Sequence, residues 1–172
     1  NMKDLANLES SRKVSLPSKV LNRLKLQANL QIKSSDKSEI IYEVLPHTEV
    51  GLGLKALPPK STEDLFFDLE SNTLETPSTL HYLWGFAEKK KKKEFSRYWA
   101  HTDWDMKTAL TNFIDLVFKR LAKDSKMHVY HYGAFEVNAL KSLVSQFSTK
   151  EDELDDLLRN GVFIDLYKIV NQ

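Results

Sequence analysis

The chain has 172 residues, 41% of them hydrophobic and 28% charged, with a net charge of +1 and no cysteine. That length carries one domain with a real core, or one domain with an appendage. Disulfide frameworks, thiolate metal sites and cysteine nucleophiles are excluded, and no run of about 18 apolar residues is available to span a membrane.

The charge is unevenly spread. Residues 1–60 carry ten Lys+Arg against six Asp+Glu, a net +4, while residues 61–172 carry 15 against 18, a net −3. The acidic part does not read as a nonspecific polyanion binder, but it can house an acid-lined site neutralised by metal. No secretory signal opens the chain, and the lack of cysteine suits a cytoplasmic protein. Asn1 before Met2 resembles the remnant of a tag, and the end just past an apolar run reads as a segment of a longer chain.

In chain order, "MKDLANLE" is a short helical candidate, and Val20, Leu21, Leu24 and Ala28 recur at helical spacing behind a capping candidate, Ser18. "EIIYEVL" (39–45) reads as a strand, and 46–61 as a turn-rich connector whose Pro58-Pro59 marks the boundary between an appendage, 1–60, and a core, 61–172. "EDLFFDLES" (63–71), "TLHYLWGFAE" (79–88) and "KEFSRYWAH" (93–101) read as three successive strands. A helix follows from about Asp105, with Met106, Leu110, Phe113, Ile114, Val117 and Leu121 on one face. "MHVYHYG" (127–133) is a fourth strand and 135–147 an amphipathic helix. Residues 149–160 form a further helix opened by Thr149 and closed by Gly161, and "VFIDLY" (162–167) is a fifth strand. This β-β-β-α-β-α-α-β order predicts an α/β fold. Three antiparallel strands are joined by parallel ones reached through helices, giving a mixed five-stranded sheet flanked by helices.

Residues two apart in a strand face the same way, so Asp68 and Glu70 share one side. Two such carboxylates repel and raise each other's pKa unless a cation sits between them. Hard cations, Mg²⁺ or Mn²⁺, take such oxygen ligands. Glu136 and Asp165 fall near other strand ends, where sites in α/β sheets gather. Each acid also has a plain structural reading: a solvated turn for the D-x-E pair, a helix-N-terminal acid for Glu136, a cap for Asp165. Their convergence on this β-α order favours a metal site. "KKKKK" at 89–93, with Lys91 at its centre, is a phosphate-contact candidate or a solvated turn. Trp84, Tyr98, Trp99 and Trp104 are base-stacking candidates, with at least half expected in the core. No phosphate-binding loop and no serine-hydrolase elbow occurs, and the length does not fit a glycosidase barrel of about 250 residues.

"FFDLES", the two antiparallel strands after it, and "VYHYGAFEVNALKSL" together resemble the RNase H-like DEDD (DnaQ-like) exonucleases, in the branch of predicted RecB-family nucleases or YprB-like domains. The segment before the core is also similar. Asp68 and Glu70 match that family's first motif. In its second motif His131 stands at the Asn position, Phe135 at the Phe and Glu136 at the Asp. The third motif, a Tyr or His shortly before a last Asp, has no match before Gln172, so the resemblance implies a chain without its last helix and one catalytic acid. Asp165 resembles a recurrent strand-five acid. The resemblance further implies two-metal phosphodiester hydrolysis, 3′ to 5′, with Asp68 bridging both ions and Glu70 and Glu136 each holding one. His131 and Tyr132 are candidates for contacting DNA or RNA, His131 with an equal reading as a hydrogen-bonded structural residue, and further domains of a longer chain would be partners. The alternatives are a degenerate domain of this kind that binds nucleic acid or a partner domain without cutting, and a plain structural domain.

Overall fold

A computed structural model describes residues 1–9, 15–35, 40–44, 51–74, 79–88 and 95–171. The chain divides into two compact units, Asn1–Pro46 and His47–Gln172, so the connector around Pro58-Pro59 groups with the second.

The first unit is a helical pair, α1 (Met2–Ala6) and α2 (Ser18–Ser35). Ala6 and Ala28 are its buried residues, small enough to let the two helices close on each other. The Lys25 ammonium donates to the Leu8 carbonyl, and Asn29 Nδ2 donates to the Ala6 carbonyl at 3.4 Å. Ser18 lies inside α2 rather than capping it, and the first backbone bond runs from Leu21 N–H to the Pro17 carbonyl at 3.0 Å. The strand expected at 39–45 does not form over 40–44, where the backbone joins no ladder. Its Ile, Tyr and Val content favours extended backbone, but a strand also needs a partner, and Ile40 is 90% exposed.

The second unit is a five-stranded sheet in the order β3-β2-β1-β4-β5. Its elements are β1 (Leu65–Asn72), β2 (Leu80–Glu88), β3 (Phe95–Trp99), α3 (Asp103–Leu121), β4 (Val129–His131), α4 (Phe135–Phe147), α5 (Glu151–Arg159), β5 (Phe163–Asp165) and α6 (Leu166–Val170). β1, β2 and β3 are antiparallel neighbours, and β4 and β5 run parallel to β1, as the element order predicts. A 3-10 turn at Gly53–Ala56 packs on α6.

Alternation in β1 sets the two faces of the sheet. Leu65, Phe67 and Leu69 point into the core, while Phe66, Asp68 and Glu70 point out. The inner face meets the apolar stripe of α3, with Phe67 and Phe113 stacked at 4.2 Å and Trp84 fully buried beside them. Each of these side chains contributes roughly 1.5–3 kcal/mol by leaving water. Leu140 and Leu143 of α4 and Leu154 and Leu157 of α5 extend the same core.

Two helix starts differ from the sequence reading. Helix α3 opens at Asp103, because Thr102 accepts the Asp105 N–H at 3.2 Å and caps it. Thr149 does not cap α5; its N–H closes the end of α4 on the Val144 carbonyl at 3.2 Å. Ser148 and Lys150 take left-handed backbone to make that turn, so α5 relies on Glu151, Asp152 and Glu153 in its first turn. Gly161, at φ +67, ends α5 as expected. Among the described residues no helix is long and apolar enough to cross a membrane.

Candidate functional site

The candidate site lies where β1 and β4 part. β1 pairs with β4 only through Leu65 with Val129 and Phe66 with Tyr130. Beyond that the chains diverge: β1 carries Asp68 and Glu70 outward, and β4 ends in His131 and the Gly133 turn that starts α4. Gly133 sits at φ +91, a conformation a side chain resists. Glu136 follows in the first turn of α4.

Glu136 is buried, only 4% exposed, and so is His131 at 5%. Glu136 Oε2 lies 3.6 Å from His131 Nδ1, beyond hydrogen-bond reach. Both atoms are buried and neither has a hydrogen-bond partner among the described residues. The carboxyl of Glu136 is pushed above its usual range, first by burial. Its own backbone N–H and His131 oppose the shift, while the negative charge of Asp68 adds to it. The charge of Asp68, on an element far apart in sequence, thus reaches Glu136 as a lesser contribution. Glu70 is exposed on the same outer face as Asp68.

Asp165 is engaged differently. Its Oδ1 accepts the Gly133 N–H at 2.9 Å and the Tyr167 N–H at 3.0 Å, and its Oδ2 lies 4.0 Å from Lys168 Nζ. It caps α6, which is why β5 stops at 165 instead of reaching 167. It also pins the turn that leads to Glu136. We expect Asp165→Ala to cost about 1 kcal/mol as a lost cap, and Asp165→Asn, which keeps the accepting oxygen, to cost less; urea melts compare the two.

Tyr132 is 59% exposed and meets Tyr167 edge-on at 5.6 Å. Phe135 is half-exposed, its ring 6.1 Å from that of His81. Lys91 and the rest of the lysine run lie outside the described residues. Of the four stacking candidates, Trp84 is buried and Tyr98 packs on the core, while Trp99 and Trp104 are exposed. A cavity of about 460 Å³ opens beside His131 and Asp165, lined also by Asn138, Lys141 and Lys168.

One neighbour of the acids was not singled out from sequence. Ser71 Oγ and His81 Nδ1 share a 2.6 Å hydrogen bond one residue beyond Glu70. Burial lowers the His81 pKa, favouring the neutral ring. The irregular pairing between Glu70 and Asn72 brings the two together, and no pattern of residue types announces such an irregularity.

Among the described residues, no three His, Asp or Glu side chains converge closely enough to hold a metal ion. Glu136 nevertheless offers what a hard cation takes: a buried carboxylate whose Oε2 has no hydrogen bond among the described residues, with the Asp68 charge within its reach.

The RNase_H_2 family model, described as RNase_H superfamily, matches residues 65–172. The match begins at the first residue of β1 and takes in the whole sheet. No curated protein and no solved structure matches the chain.

Proposed function

The chain belongs to the RNase H superfamily, and on that premise we propose that it is a metal-dependent nuclease domain hydrolysing phosphodiester bonds of DNA or RNA, working 3′ to 5′ within a larger nucleic-acid-processing protein. One observation carries the reading. The Glu136 carboxylate is buried and its Oε2 has no hydrogen-bond partner among the described residues, with His131 Nδ1 3.6 Å away. A buried carboxylate oxygen left without a hydrogen bond costs stability unless something else uses it.

Asp68 and Glu136 would hold Mg²⁺ or Mn²⁺, with Glu70 beside them on the outer face. Such an ion supplies a lowered pKa for attacking water and neutralises charge on the leaving oxygen. The chain's own residues do the rest. Asp165 fixes the Gly133 turn and hence the position of Glu136. His131, buried 3.6 Å from Glu136 Oε2, shields that carboxylate from bulk water on the β4 side. Asp68, on exposed strand surface, leaves room for a phosphate to approach. A cytoplasmic setting agrees with a chain that carries no cysteine.

The test is digestion of a 5′-labelled single strand with Mn²⁺, comparing the wild type with Asp68→Ala. A ladder of shortening products from the wild type alone supports the reading, and digestion that persists at full rate in the variant rejects it. A domain that binds without cutting is the second reading. It is favoured by the lack of a three-acid cluster among the described residues and by the capping employment of Asp165. Binding of the same strand without digestion would select it.

A further inference from the structure

The outer face of the sheet holds more than the two acids. In the antiparallel register, Glu70 pairs with Leu83 and Leu83 with Trp99; Asp68 pairs with Gly85 and Gly85 with Arg97; Phe66 pairs with Ala87 and Ala87 with Phe95. Cross-strand partners share a face. Trp99, Arg97 and Phe95 therefore form a column on the edge strand, each in a row with Glu70, Asp68 or Phe66. Two strand spacings separate that column from the acids, roughly 10 Å.

The column is built and open. Trp99 is 52% exposed and Phe95 50%. The Trp99 ring is held near-parallel to Tyr82, at 6.3 Å and 17°, and to His101, at 6.0 Å and 6°. The Phe95 ring lies over Gly85, where an added Cβ would fall 2.2 Å from Cζ. Glycine at 85 thus lets an aromatic ring fold down between Arg97 and Asp68. Arg97 has no carboxylate partner among the described residues; with Asp105 it lines a small cavity at the strand edge.

We propose that this column is a track for unpaired nucleic acid, with bases stacking on Trp99 and Phe95 and Arg97 taking a phosphate, so that the strand is led across Gly85 to Asp68. Aromatic rings alternating with an unpaired cation are the chemistry of single-strand binding, because every base offers a π-face and every link a phosphate. A duplex hides its base faces and cannot use the rings. An edge strand with no use for exposed aromatics is a liability. The inference rests on the nuclease reading only for where the track leads; binding itself needs neither metal nor cleavage.

The experiment is fluorescence anisotropy of a labelled oligo-dT or oligo-U of about 15 nucleotides, in EDTA, on the full chain. Trp99→Ala should weaken binding about tenfold or more. Arg97→Ala should also weaken it and reduce the salt slope by about 0.7, one phosphate contact. Trp104→Ala, an exposed tryptophan on α3 outside the column, should change nothing, and a hairpin duplex should bind less tightly and ignore Trp99→Ala. Unchanged melting temperatures separate lost contacts from lost fold. No binding by the wild type, or equal binding by the Trp99 and Arg97 variants, overturns the track. If binding depends on Trp99 but Mn²⁺ brings no cleavage, the track stands and the nuclease reading fails. If Asp68-dependent cleavage proceeds with Trp99→Ala at wild-type affinity, the nuclease reading stands and the track fails.

Discussion

Replacing Glu136 with Gln should make the metal-free protein more stable at neutral pH and abolish the divalent-metal-dependent cleavage proposed above. Burial and the Asp68 charge hold the folded carboxyl above its ordinary value of 4.5. A carboxyl raised in the folded state binds more protons there than in the unfolded chain. Stability therefore falls as pH rises through the window between 4.5 and the raised value, and the loss is complete above it. The amide carries no charge and escapes this loss. Thermal melts of the two proteins should converge in acid and separate towards neutrality, with Glu136→Gln the higher. Adding Mn²⁺ should reverse the order, since an ion that binds only the folded state stabilises it by about 2.7 kcal/mol at a hundred times its Kd. Asp68→Asn should draw the Glu136 titration downward, a shift that carboxyl NMR can follow, and should lower cleavage on the order of a hundredfold or more, as losing a charge-stabilising group does elsewhere. A wild-type melting temperature indifferent to Mn²⁺ would sink the metal assignment.

Much of this site was legible in the residues because it rests on short-range rules. Period-two alternation alone puts Asp68 and Glu70 on one face and Phe67 and Leu69 on the other. The helix signature after "HYG" puts Glu136 in a first turn. What was not legible depends on tertiary pairing. Arg97 and Asp68 share a row only through the registers of two hairpins, which no local pattern of residue types sets. Asp165 reads both as a ligand candidate, because it stands at a strand end, and as a cap, because a helix follows; two backbone N–H groups bond its Oδ1. Residues 40–44 have strand composition without a ladder, because local preference cannot supply the neighbouring chain. Thr149 failed as a cap because the turn before α5 was already committed to closing α4.

Replacing Arg120 with Ala should be the most damaging change away from the acids. Arg120 sits in the last turn of α3, 7% exposed. Its Nη1 donates to the Glu63 carbonyl at 3.1 Å and lies 3.6 Å from the Glu63 carboxylate, while Nη2 pairs with the Glu88 carboxylate. One guanidinium thus joins the approach to β1, the end of β2 and the back of α3, and it neutralises two acids that would otherwise repel. Lys123, 3.6 Å from Glu63 but largely exposed, is too solvated to replace it. Removing one member of a buried charge group costs about 3–5 kcal/mol, because the two acids stay buried without the guanidinium that joined them. Against a total stability of roughly 5–15 kcal/mol, that loss should be plain in a denaturant melt. Arg120→Lys should recover only part of it, since an ammonium cannot span both carboxylates as the planar fork does. The network lies at the β1 end opposite Asp68, so cleavage per folded molecule at low temperature should stay near wild type. A variant that melts within about 1 kcal/mol of the wild type would place this cluster among pairs that contribute little, and one that stays folded but loses cleavage would mean that the two ends of β1 are coupled.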